Sequence, residues 1–169
     1  MTEPAAMLVV DDDENDLRMI AAALPGGGPA PVLCVAHDGV EALDYLYARG
    51  RFHGRRADPP GVVLLDLHMP RVNGWEVLRQ VKSDATLRLI PVVVFSSSAR
   101  ESDIHHSYEL GANAYVVKPI DYAHFRRTIA AIAEFWLSCN HDTKKPGGKT
   151  TAAAVPRQRP QPSRAPQPT

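Results

Sequence analysis

The sequence predicts an α/β fold, a doubly wound parallel sheet of five strands with helices on both faces. Three observations predict it. Short apolar runs of about four or five residues recur along the chain, segments with apolar residues at helical spacing separate them, and 169 residues leave room for one ordinary domain with its own core. The first strand is Ala6–Val10, followed by Leu17, Ile20, Ala21 and Leu24 at helical spacing. "PGGGPAP" at 25–31 lies between a helix and a strand and lacks the lysine of a phosphate-binding loop, so it reads as a turn. The second strand is Val32–Ala36, and Val40, Leu43, Leu46 and Tyr47 mark the second helix. "GRFHGRRADPPG" at 50–61 has no apolar period and reads as a long surface loop. The remaining strands are Val62–Asp66, Val92–Phe95 and Ala114–Val117, with Ile104, Tyr108 and Gly111 spaced as a helix between the last two. Phe125, Ile129, Ile132 and Trp136 form one stripe of a final helix.

Beyond about Cys139 the pattern stops. Residues 140–169 are rich in Pro, Gly, Gln and Thr, too poor in apolar side chains to bury a core, and are expected to be a disordered basic tail, so that 1–139 form the folded domain. Formal net charge is zero, yet the tail holds Lys144, Lys145, Lys149, Arg157, Arg159 and Arg164 against Asp142, which leaves the body acidic. Charge in a Pro-rich tail is most simply solvation, so neither nucleic acid nor a membrane is expected as a partner. Cys34 and Cys139 are far apart and suit a reducing compartment. No basic leader opens the chain and no apolar run approaches the ~20 residues of a membrane span, so a soluble cytoplasmic protein is expected.

A parallel sheet puts every strand's C-terminal end on one edge, where polar groups for chemistry collect. "LVVDDDEND" ends the first strand on Asp11 and Asp12, and "VVLLDLHMP" ends the third on Asp66. If those strands are neighbours, three carboxylates converge, and their mutual repulsion favours a cation among them. Hard oxygen ligands point to Mg²⁺, which binds through one or two carboxylates together with phosphate oxygens. Ser96 in "VVVFSSSA" and Lys118 in "YVVKPID" bring a hydroxyl and an ammonium to the same edge. Such a set neutralises the oxygens of a phosphoryl group in transfer, with Asp66 as the candidate acceptor. Asp13 reads instead as a helix N-cap, with Asp16 as an acid in the first turn. The seven histidines show no metal-ligand spacing, and the adjacent His105 and His106 face different ways on a helix.

These residues resemble the receiver domain of two-component response regulators over roughly residues 5–138. The matching pattern is Asp-Asp at strand one, Asp followed by "MP" and Gly at strand three, Ser at strand four and Lys-Pro at strand five. The resemblance implies a flavodoxin-like strand order 2-1-3-4-5 and Asp66 as phosphoacceptor. It implies a Mg²⁺ site, open also to Mn²⁺, made by Asp12 and Asp66 directly, Asp11 through water and the backbone carbonyl of His68. Ser96 and Lys118 would bind the acyl phosphate, Tyr115 would be the aromatic switch, and the peptide between Lys118 and Pro119 would be cis. His68, Ser97 and Ser98 occupy positions that in receivers tune phosphate lifetime. "DGVEALDYL", the loop before strand three, "SYELGANAYVVKPID" and the terminal "FW" further resemble stand-alone receivers serving bacterial phytochrome-type histidine kinases.

The implied function is that of a single-domain response regulator, not an enzyme beyond self-catalysed phosphoryl transfer and autodephosphorylation. A sensor histidine kinase would supply the phosphoryl group, and phosphorylation-dependent contacts with a downstream protein would carry the signal. Phe135 and Leu137 lie off the buried stripe of the last helix, so a homodimer through helix four, strand five and helix five is expected. Two other classes fit parts of the pattern. A haloacid-dehalogenase-type phosphatase would use Asp11-x-Asp13 on strand one, but needs a further acidic motif after the lysine. A binding module without phosphorylation would not need the complete acceptor set.

Overall fold

The computed structural model describes residues 6–24, 31–55 and 58–141. The turn expected at 25–31 falls mostly outside them, as does the tail from residue 142 onward. Five strands, β1 (Ala6–Val10), β2 (Val32–Ala36), β3 (Val62–Leu65), β4 (Val92–Ser96) and β5 (Ala114–Val117), form one sheet in the order β2-β1-β3-β4-β5. Every neighbouring pair is parallel. Five α-helices alternate with them: α1 (Glu14–Ala23), α2 (Gly39–Leu46), α3 (Gly74–Ser83), α4 (Glu101–Glu109) and α5 (Tyr122–Glu134). The loop after α2 contains a short 3₁₀ turn, Gly50–Phe52, and α5 runs into a π-helical turn, Phe135–Cys139.

Alternation along the strands divides the core into two layers. Leu8 and Val10 of β1 pack with Leu65, Val94, Leu43 of α2 and Val77, Leu78 and Val81 of α3. Met7 and Val9 point the other way, into Leu17 and Ile20 of α1 and Phe125, Ile129 and Ile132 of α5. Because both faces are covered, β1, β3 and β4 are almost wholly buried, which is why they read as continuous apolar runs. Side chains cap four of the helices: Asp13, Asp38, Asn73 and Asp121 each accept a backbone N–H of the first turn.

Three expectations are corrected. The apolar spacing Ile104, Tyr108, Gly111 does not form the inner face of α4: Tyr108 is exposed, and Ser107 is the helix's fully buried residue, a polar side chain that an apolar period cannot register. Gly111 lies past the helix at φ +95°, a backbone form that favours glycine. Every peptide bond among the described residues is trans, Lys118–Pro119 included. No isomerisation is needed to aim the lysine inward, because Lys118 N–H continues the sheet by donating to Ser96 carbonyl at 2.8 Å and the side chain leaves from that extended position. Asp66 falls just past β3, and Ser96 belongs to β4.

Candidate functional site

The parallel register builds the site. Val10 pairs with Leu65, and the next residue, Asp66, donates its N–H to Val10 carbonyl at 2.9 Å. Asp11 N–H donates to Ala36 carbonyl at 3.1 Å, so Asp11 and Asp66 leave adjacent strands side by side. Asp11, Asp12 and Asp66 each offer a carboxylate oxygen within 4.8 Å of the others, and among the described residues this is the one such group of His, Cys, Asp and Glu. Asp11 and Asp66 are buried while Asp12 is exposed, which gives the cluster an open side.

Lys118 reaches in from β5. Its Nζ lies 2.7 Å from Asp11 Oδ2, 2.7 Å from Asp16 Oδ2 and 3.8 Å from Asp66 Oδ1. Burial pulls the Lys118 pKa down, but the bonds to Asp11 and Asp16 outweigh it and hold the ammonium above its ordinary range. Burial also pushes Asp11 up to about 6 in spite of the Lys118 hydrogen bond, and raises Asp66 against the same positive charge. One lysine does not compensate the cluster. Three converging carboxylates with hard oxygen donors and unspent negative potential therefore fit a divalent cation.

The loop after Asp66 is fixed from both ends. Asn73 caps α3, and Gly74 N–H donates to Leu67 carbonyl at 3.0 Å. A Cβ on Gly74 would lie 2.2 Å from Asp66 carbonyl oxygen, so only glycine lets α3 begin this close to Asp66. Arg71, at φ 66°, forms an ion pair with the buried Asp38 at the start of α2. The His68 side chain, about half exposed, leans edge-on against Trp75 with ring centroids 5.6 Å apart and stands 4.0 Å from Asp103 Oδ2.

On the β4 side, Ser96 is fully buried and its Oγ accepts from Ser98 N–H at 3.2 Å. Ser97 is exposed at the turn. The Tyr115 hydroxyl donates to Ser98 carbonyl at 2.9 Å, and Tyr115 N–H donates to the Tyr108 hydroxyl at 3.2 Å. The structure thus brings together Asp11, Asp12, Asp66, Ser96, Tyr115 and Lys118, with His68 and Ser97 at the rim. It adds contacts that pattern reading missed. Asp16, read only as a first-turn acid, is a full partner of Lys118. Ser98 and Asp103, joined at 2.6 Å, tie the Ser96 turn to α4. No local signal marks Asp16 for this role, because its partner lies 102 residues away.

Residues 7–130 match the response regulator receiver domain. The probable methanogenesis regulatory protein FilR2 of Methanothrix harundinacea is 37% identical over 139 residues, which are 82% of this chain and 87% of that protein. The crystal structure of the phosphorylated cyanobacterial phytochrome response regulator RcpA is 38% identical, covers 82% of this chain and 97% of its own, and superposes with a TM-score of 0.77. The Mn²⁺-bound response regulator Rcp1, known from Synechocystis, is 32% identical at a TM-score of 0.75 over 82% of this chain and 98% of that one. No helix of the described residues is long and apolar enough to cross a membrane. With this strand order, this sheet edge and these relatives, the chain belongs to the response regulator receiver family, signalling proteins that accept a phosphoryl group on an aspartate from a histidine kinase.

Proposed function

We propose that Asp66 is the phosphoacceptor and that the donor is the phosphohistidine of a phytochrome-type sensor kinase in the cytoplasm. The observation that carries the acceptor assignment is the convergence on Asp66: two further carboxylates within 4.8 Å and the Lys118 ammonium at 3.8 Å. The kinase assignment is supported by the likeness to RcpA, a phytochrome response regulator. Asp11, Asp12, Asp66 and the backbone carbonyl of His68 would hold Mg²⁺, or Mn²⁺ in its place. When bound, the cation neutralises charge on the phosphoryl oxygens. An Asp66 oxygen attacks phosphorus in line, the new O–P bond forms as the N–P bond to the histidine breaks, and the freed imidazole takes up a proton. Asp66 is held for that attack by its strand-end position and by the Gly74 approach.

The product carries close to two negative charges beside Ser96 and Lys118. The Ser96 hydroxyl donates to one phosphoryl oxygen, and Lys118 shifts its third contact, now 3.8 Å from Asp66, onto another. Tyr115, whose hydroxyl already bonds the Ser98 carbonyl, follows the Ser96 turn and changes the surface formed by α4, β5 and α5. That surface binds a second copy of the chain or a downstream protein. Incubation with acetyl phosphate and Mg²⁺ tests the assignment. Wild type should gain a base-labile acyl phosphate, Asp66→Asn should gain none, and Asp12→Ala should need more Mg²⁺ for half-maximal label. Full labelling of Asp66→Asn would move the acceptor elsewhere, to Asp11 first.

A further inference from the structure

α4 is fastened to the rest of the molecule chiefly by polar groups. Its fully buried residue is Ser107, and its N-cap position, Arg100, makes no side-chain bond to the first turn. Ser107 Oγ donates to Asp103 carbonyl at 2.7 Å and stands 3.3 Å from the Trp75 Nε1 donor on α3. Asp103 Oδ2 accepts the Ser98 hydroxyl at 2.6 Å, a short, charge-assisted bond. A helix with so little apolar anchoring moves at low cost, so its polar ties to the site decide where it rests.

Ser98 is the meeting point of those ties. Its N–H donates to Ser96 Oγ at 3.2 Å, its carbonyl accepts from Tyr115 at 2.9 Å, and its hydroxyl goes to Asp103. The Ser98 N–H occupies one lone pair of the Ser96 hydroxyl and so ties that side chain to the turn. Asp103 also stands 4.0 Å from His68 Nε2, on the loop that follows Asp66. One carboxylate on α4 therefore faces both loops that frame the acceptor.

We propose that Asp103 is a positioning residue for phosphoryl transfer: by holding the Ser98 hydroxyl it fixes the 96–98 turn, and through Ser98 N–H the Ser96 hydroxyl, in the orientation that meets the phosphoryl group. The placement of α4 and the readiness of the site then form one equilibrium. Asp103 touches no reacting atom and acts through Ser98. The inference rests on Asp66 as the acceptor, so wild-type labelling at Asp66 by acetyl phosphate is read first and tests that assignment alone.

The variants then test the positioning role in the full-length chain, with two readouts: the labelling rate at saturating Mg²⁺, and the Mg²⁺ affinity from tryptophan fluorescence. Ser98→Ala and Asp103→Ala should each slow labelling by about two- to tenfold, the worth of one hydrogen bond. Mg²⁺ affinity should stay at the wild-type value, because none of its ligands is touched. The double variant should be no slower than the slower single one, since both remove the same link. Ser98→Thr, which keeps the hydroxyl, should restore the rate. Asp103→Asn, which keeps an acceptor oxygen in the same volume, should fall between wild type and Asp103→Ala, and it carries the test if the alanine variant fails to fold. Wild-type rates in both alanine variants, multiplied effects in the double variant, or a parallel loss of rate and Mg²⁺ affinity would each overturn the proposal.

Discussion

Lys118 holds two carboxylates at once and stands off from a third. At 2.7 Å from Asp11 and Asp16 and 3.8 Å from Asp66, it places positive charge beside the Asp66 carboxylate without engaging it fully. Asp11 is left undercompensated, and burial raises its pKa to about 6 from an ordinary 3.8. A carboxyl with a folded pKa above its unfolded one binds extra protons in the native state. Its stabilising effect is therefore greatest below 3.8 and is lost as pH rises through about 6. That gap corresponds to roughly 3 kcal/mol at most. Glu41 and Asp84 shift the opposite way, so the difference between two proteins isolates the effect. In EDTA, urea unfolding between about pH 4 and pH 7 should show wild type losing stability relative to Asp11→Asn as pH rises. Saturating divalent cation at the upper end should restore it; parallel curves for the two proteins would refute this origin. Asp11, Asp66 and Lys118 were legible in the sequence because each directly follows an apolar strand, and Asp12 because it adjoins Asp11. Asp16 was legible only as a helix-dipole acid, since its partner lies 102 residues away and nothing local marks the pair.

At the scale of elements, the start of α3 does more than begin a helix. Asn73 supplies the cap, and Gly74 supplies the absence of a side chain where Asp66 carbonyl oxygen would be 2.2 Å from a Cβ. The two neighbours therefore have separable effects. Asn73→Ala should cost about 1 kcal/mol in urea unfolding and leave the acetyl phosphate labelling rate near wild type. Gly74→Ala should cost about 1–3 kcal/mol through the forced displacement of backbone and also slow labelling, because the displaced atoms belong to Asp66 and Leu67. Equal labelling rates in the two variants would show that the close approach serves packing alone. Helices that bury apolar stripes were readable from periodicity: Leu17 and Ile20 of α1 and Phe125, Ile129 and Ile132 of α5 are all in the core. α4 was placed but its inner face was not, because its buried contact is the Ser107 hydroxyl and its link to the site runs through Ser98 and Asp103. Polar ties of this kind have no period to find.

For the whole molecule, spacing along the chain implied five parallel strands, while their order came only from the family resemblance, since any permutation leaves the apolar runs unchanged. That order leaves β5 at one edge of the sheet, flanked by α4 and α5. The surface there is apolar in places. Tyr108, Val117, Ile120, Tyr122 and Phe135 are all substantially exposed, with Ile120 wholly so. Leu137 is accounted for, since it folds back against the α1–α5 core layer, but Phe135 remains outside and stacks edge-on against Trp136 at 5.0 Å. A two-fold axis beside α4, β5 and α5 would pair each of these patches with its own copy. Such an interface needs about 800 Å² from each partner to be stable. Phosphorylation, by resetting Tyr115 and α4, should therefore tip the chain from monomer toward dimer. Sedimentation with and without a beryllofluoride phosphate mimic should show that shift in wild type and its loss in Ile120→Asp and Phe135→Asp, with acetyl phosphate labelling retained. A chain that stays monomeric in every sample, or variants that dimerise as well as wild type, would assign the same apolar surface to the downstream protein.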